Sequence, residues 1–292
     1  MPRRNNDGRL DGRLEVLRAE PAQPLAGMPP LLFVHGAYTA AWCWQEYWLP
    51  AFAAAGFSCH ALSLSGHGGS GQRDQIDQYA IKDYVADVAA TAAALPAPPV
   101  LIGHSMGGFV VQKYLEQYSA AAAVLLSSAP PQGLALSAVN MFFGSPGLLV
   151  ELNRFMSGGG LSMQTLQEAM FATSPQQADL RRYHSLAQPE SHRAIWDMTL
   201  FNLPLINKVL GNLPHGREDL YIAGGERDLI IAPSLVALTA VSYGVKANFL
   251  PDIGHAVMLE TNNQQPAAAI MNWLQQRFPI AANIDAAKPA AV

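Results

Sequence analysis

Residues 103–107 read Gly-His-Ser-Met-Gly, and they stand between an apolar run at residues 100–102 and a helical pattern that begins at Met106. A strand, a glycine-flanked serine and a helix in this order are typical of a sharp turn that lifts the serine side chain out of the backbone. The turn is so tight that a Cβ at either flanking glycine would collide with neighbouring backbone. The pattern therefore predicts that Ser105 stands at the carboxyl edge of a sheet, where its hydroxyl group is available as a nucleophile.

Short apolar runs alternate with helical patterns along most of the chain. Strand-type runs lie at residues 31–34, 57–64, 100–102, 123–126, 220–223 and 246–250, and all but the second and the last are fully apolar. The helical patterns lie at residues 42–55, 79–95, 106–118 and 263–278. Fully apolar short runs are typical of strands that are buried on both faces, as in parallel sheets. We therefore predict an α/β fold with a mostly parallel central sheet and helices on both of its faces.

The alternation breaks between residues 131 and 214, where no convincing buried strand occurs and proline and glycine interrupt the helical patterns. We predict that residues 131–214 form a helical cap, or lid, inserted into an α/β core made of residues 31–130 and 215–280. Residues 1–30 are predicted to be an N-terminal arm with a possible edge strand. The Ala/Pro-rich residues 281–292 are predicted to be a disordered tail.

Charge and composition exclude several classes of protein. The 292 residues include 18 basic and 22 acidic ones, a net charge of −4, which argues against a nucleic-acid partner because phosphates demand clustered Lys and Arg. Cys43 and Cys59 are too few for a disulfide scaffold and match no zinc spacing. We expect no metal and no cofactor.

Neither a targeting signal nor a membrane span is predicted. Residues 1–20 are crowded with Arg, Asp and Glu and contain no apolar segment of a signal peptide. An uninterrupted apolar stretch of about 18 residues, the minimum for a membrane-spanning helix, does not occur in the sequence. We therefore expect a cytoplasmic protein without an integral membrane segment, and the sequence leaves its oligomeric state open.

A serine hydroxyl group is a weak nucleophile at neutral pH and needs an adjacent base. Among the 8 histidines, His255 follows the last strand pattern and precedes the last helix, so we expect it on a loop at the same sheet edge as Ser105. Asp228 follows the preceding strand, and it is predicted to orient His255 and to stabilise its imidazolium form. Asp252, which we expect to form a turn on the loop of His255, and Glu226 are the rival carboxylates.

Acyl-transfer chemistry also needs hydrogen-bond donors for the oxyanion that develops in the transition state. The first predicted donor is the backbone N–H of Met106, the residue after the nucleophile. The second is the backbone N–H of Ala37, which follows His35-Gly36 at the end of an early strand pattern. The alternative interpretation of His35-Gly36 is a plain turn that ends the strand.

The same motifs carry a resemblance to a known family. Over roughly residues 31–278 the chain resembles an α/β-hydrolase-fold serine hydrolase, on the motifs His35-Gly36, Gly66-His67-Gly68-Gly69-Ser70, Gly103-His104-Ser105-Met106-Gly107-Gly108, Gly225-Glu226-Arg227-Asp228 and Gly254-His255. Residues 35–44, with Ala41-Trp42-Cys43-Trp44, are similar to the plant methylesterase and hydroxynitrile lyase branch. The loop at residues 66–70 and the long lid are similar to those of bacterial esterases and monoacylglycerol lipases.

Three positions limit what the resemblance implies. Many relatives have Asp where this chain has Ser63, so a local structural contact is expected to be missing there. Hydroxynitrile lyases have Lys directly after the catalytic histidine, where this chain has Ala256, which disfavours cyanohydrin cleavage. Ser105 itself argues against epoxide hydrolases and haloalkane dehalogenases, which use Asp at that position to form an alkyl-enzyme ester.

A second glycine-rich loop, at residues 66–71, satisfies the G-x-G-x-x-G spacing of dinucleotide-binding folds. In those folds the helix begins at the third glycine, so that its N-terminus faces the pyrophosphate. In this chain the next helical pattern begins only near residue 79, after a polar loop. We therefore do not expect NAD binding.

The predicted lid is rich in Met and Phe, whose side chains make adaptable apolar walls. We predict a substrate pocket lined by Tyr38, His104, Met141, Phe142, Phe143, Phe155, Met156 and Val257. The plainer alternative is that these lid side chains only bury one face of their helices. The glycines at residues 158–160 are either a hinge or a loop. Basic residues later in the lid either bind a substrate carboxylate or form a solvated helix face: Arg181, Arg182, His184, His192 and Arg193.

Taken together, these patterns predict a serine hydrolase whose partner is a small-molecule carboxylic ester with an apolar acyl or alcohol part. Two alternatives use the same triad, namely a C–C bond hydrolase and a perhydrolase. An alternative of another class is a ligand receptor that keeps the triad for sensing and turns its ligand over slowly or not at all.

Overall fold

The structure is a computed structural model that describes residues 14–156, 159, 160 and 162–279. Its strands are β1 (Glu15–Ala19), β2 (Leu31–Val34), β3 (Cys59–Ser63), β4 (Val100–His104), β5 (Ala122–Leu126), β6 (Leu220–Gly225) and β7 (Ala247–Leu250). They form one sheet in the order β1-β3-β2-β4-β5-β6-β7. The edge strand β1 is antiparallel to β3, and the other neighbouring strands are parallel. The prediction of a mostly parallel sheet is confirmed.

Helices connect the strands. In the described residues they are α1 (Trp42–Gln45), α2 (Trp48–Ala54), α3 (Ile81–Ala93), α4 (Met106–Tyr114), α5 (Ala135–Gly144), α6 (Pro146–Met156), α7 (Met163–Met170), α8 (Gln177–Leu186), α9 (His192–Trp196), α10 (Ile206–Gly211), α11 (Pro233–Tyr243) and α12 (Gln264–Arg277). The wider π-type turn Asp197–Phe201 extends α9. Pro233 at the first position of α11 and Gly244 after its last residue, with φ = 66°, follow the usual preference of these residues for the two helix ends.

The sheet separates two hydrophobic cores. Leu31 and Phe33 of β2 belong to the core that is shared with α1, α2 and α12, whereas Leu32 and Val34 belong to the core that is shared with α3, α4 and α11. All four side chains are fully buried, which explains why this strand is apolar without alternation. The predicted α/β architecture with helices on both faces is confirmed.

The single helix predicted over residues 42–55 is two helices. Helix α1 ends at Gln45 and α2 begins at Trp48, so that Pro50 lies in the first turn of α2. Proline is tolerated there because the first N–H groups of a helix have no partner within it, whereas in a continuous helix the ring of Pro50 would clash with the carbonyl group of Glu46.

The connection between β5 and β6 contains α5 to α10, in line with the helical patterns of residues 131–214. Residues 15–19 of the predicted N-terminal arm form the edge strand β1. The predicted tail, residues 281–292, lies outside the described residues. Within the described ranges, no helix is long and apolar enough to cross a membrane.

Ser63, where many relatives have Asp, makes its own hydrogen bonds to neighbouring segments. Ser63 Oγ accepts a hydrogen bond from the N–H of Ala41 (3.0 Å) and donates one to Glu15 Oε2 (2.5 Å). The same oxygen atom of Glu15 accepts a hydrogen bond from the N–H of Gly69 (2.9 Å). Ser63 and the edge-strand residue Glu15 together therefore hold the glycine-rich loop at residues 66–70.

Candidate active site

Ser105 occupies the sharp turn between β4 and α4. Its backbone has φ = 51° and ψ = −117°, a conformation that residues other than glycine rarely adopt, and its N–H donates a hydrogen bond to the carbonyl oxygen of Leu126 (3.0 Å). A Cβ on Gly103 would lie 2.5 Å from the carbonyl oxygen of Gly107, and a Cβ on Gly107 would lie 2.3 Å from that of Val34. Close backbone packing therefore requires both flanking glycines.

The structure brings the three predicted triad residues into hydrogen-bond contact. His255 Nε2 lies 3.0 Å from Ser105 Oγ, and His255 Nδ1 lies 2.8 Å from Asp228 Oδ2. The other carboxylate oxygen of Asp228 accepts hydrogen bonds from the N–H groups of Ile230 and Ile231 (2.9 and 2.8 Å). Because the carboxylate accepts the Nδ1 hydrogen of His255, Nε2 is left with a lone pair that faces the hydroxyl group of Ser105.

The two rival carboxylates lie elsewhere. The side chain of Asp252 is 72% exposed and is 3.5 Å from the guanidinium group of Arg227, and its backbone has φ = 52°, in agreement with its predicted place in a turn. Glu226 is exposed on the loop that follows β6. Asp228, in contrast, is 2% exposed.

Two further histidines near Ser105 are buried and hold backbone groups. His104 Nε2 donates a hydrogen bond to the carbonyl oxygen of His255 (2.8 Å), and His35 Nδ1 donates one to the carbonyl oxygen of Gly36 (2.8 Å). Burial is the main cause that lowers the pKa of each to about 3. Both side chains therefore stay neutral at neutral pH, and each holds a backbone carbonyl group.

The backbone groups predicted as oxyanion donors are close to Ser105. Ala37 and Met106 line the same cavity as Ser105. Met106 is the first residue of α4, so its N–H is one of the four that have no partner within the helix, at the positive end of the helix dipole. Gly36 packs against the turn, since a Cβ on it would lie 3.1 Å from the Cβ of Ser105.

A cavity of about 390 Å³ is lined by Ser105 and His255 and by side chains of the helical connection between β5 and β6. Of the predicted pocket residues, Tyr38 and His104 line it. Val257 does not: it is fully buried in the hydrophobic core, and its neighbour Ala256 lines the cavity instead. The other predicted pocket side chains lie outside the described part of the structure: Met141, Phe142, Phe143, Phe155 and Met156.

One wall of the cavity is aromatic. The rings of Trp42 and Tyr183 are stacked with centroids 5.8 Å apart and planes inclined by 21°. The rings of Tyr183 and Phe171 are stacked with centroids 6.0 Å apart and planes inclined by 16°. The three rings come from three separate parts of the chain, which is why no local sequence pattern pointed to them.

The described part of the cavity lining carries no formal charge. Among the described residues that line it there is no Arg, Lys, Asp or Glu. The basic residues considered as a carboxylate-binding site are not part of this lining. Arg182 instead forms an ion pair with Glu46 (2.7 Å), and His192 Nδ1 lies 2.8 Å from Asp77 Oδ1.

Glu260 is a site-supporting residue that the sequence did not reveal. It is fully buried, and its Oε1 accepts hydrogen bonds from the N–H groups of Gly254 (2.7 Å) and Ala172 (2.5 Å). Burial raises the pKa of Glu260, and these N–H groups oppose that effect. The carboxyl group joins the loop of His255 to the segment that follows α7.

In the described ranges, no three His, Cys, Asp or Glu side chains converge to hold a metal ion.

A model of the alpha/beta hydrolase family matches residues 31–270 of the chain. The chain belongs to the alpha/beta hydrolase family. The resemblance inferred from the sequence motifs is therefore confirmed. Like other members, the chain has a mostly parallel sheet with a glycine-flanked serine after an inner strand.

Curated relatives of the chain are named for different activities. It is 35% identical over 106 residues to Esterase PIR7B of Oryza sativa subsp. japonica, a match that covers 34% of this chain and 38% of the relative. It is 33% identical over 90 residues to Norfluorocurarine synthase 2 of a Strychnos species, which covers 30% of this chain and 33% of the relative. The chain thus matches only about a third of the length of these curated relatives.

The fold of the chain is shared with solved structures. The crystal structure of BpoC from Mycobacterium tuberculosis H37Rv superposes with a TM-score of 0.68, covering 92% of this chain and 97% of BpoC at 18% sequence identity. At that level of identity the likeness shows the fold alone.

Proposed function

We propose that this protein is a serine hydrolase that cleaves neutral carboxylic esters with an apolar acyl or alcohol part. The observation that carries the proposal is the chain of contacts from Asp228 through His255 to Ser105, which ends at an apolar cavity. A nucleophile, a base and an orienting carboxylate in this order are the arrangement that activates a serine hydroxyl group.

In the first half of the reaction, Ser105 Oγ attacks the ester carbonyl carbon while its proton passes to His255 Nε2. The negative charge that develops on the carbonyl oxygen is stabilised by the N–H groups of Ala37 and Met106. His255 then donates the proton to the departing alkoxide oxygen, so that the alcohol leaves and an acyl-enzyme on Ser105 remains. Asp228 stabilises the imidazolium form of His255 during both transfers.

In the second half, a water molecule attacks the acyl carbon as His255 Nε2 takes its proton. The tetrahedral intermediate collapses when His255 returns the proton to Ser105 Oγ, and the carboxylic acid is released. The same two N–H groups stabilise the second oxyanion.

The lining of the cavity favours the binding of uncharged substrates. A carboxylate group on the substrate would lose its hydration in the cavity, where no described cation compensates for the loss. This argues against substrates such as those of C–C bond hydrolases that must bind a carboxylate. The stacked rings of Trp42, Tyr183 and Phe171 favour flat apolar groups.

We infer that the helices between β5 and β6 act as a cap over Ser105. The inference is supported by residues of α5 to α8 that line the same cavity as Ser105, among them Ala138, Leu149, Leu166 and Tyr183. A cap of this kind excludes bulk water, which strengthens the hydrogen bonds to the oxyanion.

The proposal is tested by the hydrolysis of p-nitrophenyl esters of increasing acyl length. The wild-type enzyme is expected to release p-nitrophenol, and kcat is expected to fall by about 10⁴-fold or more in both Ser105→Ala and Asp228→Asn. Binding of the esters with negligible turnover would favour a receptor, and activity that requires hydrogen peroxide would favour a perhydrolase. Either result would contradict the proposal.

A further inference from the structure

A short segment between α8 and α9, residues 188–191, crosses the two loops next to the catalytic turn. The side chain of Gln188 donates a hydrogen bond from Nε2 to the carbonyl oxygen of Gly66 (3.2 Å) and accepts one at Oε1 from the N–H of Gly68 (2.9 Å). The backbone N–H of Gln188 donates to the carbonyl oxygen of Tyr38 (3.0 Å). One residue of the connecting segment therefore joins the glycine-rich loop to the loop that contains Ala37.

Glu190 continues this contact into the interior. Its Oε2 lies 3.0 Å from His67 Nε2, and neither side chain is exposed. Its Oε1 accepts hydrogen bonds from the hydroxyl group of Tyr84 (2.7 Å) and from the N–H of Ser191 (2.8 Å). His67 Nδ1 lies 3.1 Å from the carbonyl oxygen of Ser65. Because both ring nitrogens of His67 face oxygen acceptors, the side chain is an imidazolium that is paired with a buried carboxylate.

The pKa values of the pair agree with this assignment. Burial alone would lower the pKa of His67, but the charge and hydrogen bond of Glu190 raise it above its usual value. Burial alone would raise the pKa of Glu190, but His67 holds it below its usual value. Two charges have thus been taken out of water at a place where a pair of apolar side chains would cost less. Because the buried ion pair of His67 and Glu190 costs this desolvation energy, we infer that it has a role beyond stability.

The His67–Glu190 pair contacts, through His35, the peptide group that contains the Ala37 N–H. The rings of His67 and His35 are packed with centroids 5.0 Å apart. His35 Nδ1 donates to the carbonyl oxygen of Gly36 (2.8 Å), and Thr39 Oγ1 donates to the same oxygen (3.0 Å). Across a trans peptide the C=O and the next N–H point in opposite directions, so fixing the Gly36 carbonyl group fixes the direction of the Ala37 N–H.

We propose that Gln188 and Glu190 are positioning residues that keep the Ala37 N–H aimed at the oxyanion. They act on Ala37 from both sides: Glu190 through His67 and His35 on the Gly36 side, and Gln188 through its hydrogen bond to Tyr38. The inference rests on the proposed function, because an oxyanion donor has a role only if acyl transfer occurs at Ser105.

The test compares Glu190→Gln with a matched control, Asp219→Asn. Asp219 is also a buried carboxylate, and it forms an ion pair with Arg277. It lies directly before β6, whereas Asp228 follows the other end of that strand. We expect kcat of Glu190→Gln to fall by roughly 10- to 100-fold with KM changed by less than about threefold, because a misplaced donor weakens the transition state and not ester binding. Asp219→Asn is expected to lower the melting temperature and leave kcat within about twofold.

Tyr84→Phe keeps the test informative if Glu190→Gln does not fold. This variant removes only the hydroxyl group that donates to Glu190, and we expect kcat to fall by about two- to fivefold at unchanged KM. The proposal would be overturned if a folded Glu190→Gln enzyme had the same kcat as the wild type. If only Tyr84→Phe folds, the same kcat in that variant would overturn it. A loss that appears in KM, or one that Asp219→Asn shares, would overturn it as well.

The rate of labelling by a fluorophosphonate separates this inference from the proposed function. In that reaction Ser105 Oγ bonds to phosphorus, fluoride leaves, and the phosphoryl oxygen takes the place of the oxyanion. A wild-type enzyme that is labelled but cleaves no ester would refute ester hydrolysis and still allow the comparison. A labelling rate of Glu190→Gln equal to that of the wild type would refute the positioning role alone.

Discussion

The side chain of His104 donates a hydrogen bond from Nε2 to the backbone carbonyl oxygen of His255, over a distance of 2.8 Å. His104 is the residue directly before Ser105 and the last residue of β4. The bond therefore ties the loop of the proposed base to the strand that positions the proposed nucleophile. The bond needs a hydrogen on Nε2, and the low pKa that burial and the neighbouring His255 give to His104 keeps the ring neutral.

Replacement of His104 by Phe is expected to disturb this link while keeping a ring of similar size. The carbonyl group of His255 would lose its partner, which lowers the free energy of unfolding by about 1–3 kcal/mol. We also expect kcat to fall at least about tenfold, because the distance between His255 and Ser105 is no longer fixed. Urea unfolding and ester hydrolysis measure the two effects. The control is His60→Phe in β3, which should leave kcat unchanged, and a His104→Phe enzyme with full activity would contradict the prediction.

The close packing at the turn predicts opposite outcomes for two Gly→Ala substitutions. A Cβ on Gly107 would lie 2.3 and 2.4 Å from the carbonyl oxygens of Val34 and His35, so Gly107→Ala is expected to destabilise the fold by about 3 kcal/mol or to prevent folding. A Cβ on Gly147 in α6 would meet nothing within 4 Å, and Gly147→Ala is expected to be neutral or stabilising by up to about 1 kcal/mol. The melting temperatures of Gly107→Ala and Gly147→Ala test this prediction. Equal melting temperatures would contradict the structure of the turn.

The buried histidines predict how stability depends on pH. His35 and His104 have pKa values of about 3 in the folded state against 6.5 in the unfolded chain. Between these values the unfolded chain binds more protons, so the free energy of unfolding falls with decreasing pH by up to about 1.4 kcal/mol per pH unit for each histidine. Glu190, whose folded pKa is lowered, adds to the loss when the pH falls below its unfolded value of 4.5.

His67 sets the alkaline side of the same profile. Because its folded pKa is raised above 6.5, its contribution to stability is complete below pH 6.5 and is lost as the pH rises through the folded value. We therefore expect the free energy of unfolding in urea to be greatest near pH 6.5 and to fall steeply toward pH 4.5. The His104→Phe variant should have a shallower acid limb. A flat profile between pH 4.5 and 6.5 would show that these histidines are not buried and neutral.

The aromatic wall predicts a preference that one substitution should remove. Tyr183 stacks on both Trp42 and Phe171, so Tyr183→Leu removes two ring contacts worth about 0.5–1.5 kcal/mol each. We expect kcat/KM for a 1-naphthyl ester to fall about tenfold, and kcat/KM for the matching butyl ester to change by less than about threefold. Tyr118→Leu, at an exposed position, is the control. Equal losses for both esters would contradict an aryl-binding wall.

The parts of the molecule with local sequence signals could be predicted. Strand β2 is buried on both faces and apolar throughout, and the turn at Ser105 needs glycine on both sides for steric reasons, so both features are visible in short windows. The positions of Asp228 and His255 followed from the rule that parallel strands end at the same edge of the sheet. The structure places them within hydrogen-bond distance of one another.

Features that depend on contacts between distant segments were not predicted. The interruption of the helix near residue 46 has a local signal in Pro50, which the prediction of a single helix over residues 42–55 did not use. Val257 is predicted to line the pocket, but its side chain is buried in the hydrophobic core. Glu190 and His67 are separated by 123 residues, and no pattern in either neighbourhood indicates the other.

The central claim is that Ser105 is the nucleophile, and intact-protein mass spectrometry after treatment with a fluorophosphonate tests it most directly. We predict one phosphonyl adduct per chain in the wild-type protein, located on the peptide that contains Ser105, and no adduct in Ser105→Ala. The His255→Ala variant should be folded and labelled at least about 10³-fold more slowly, because the base is missing. An adduct of full stoichiometry in Ser105→Ala would contradict the account.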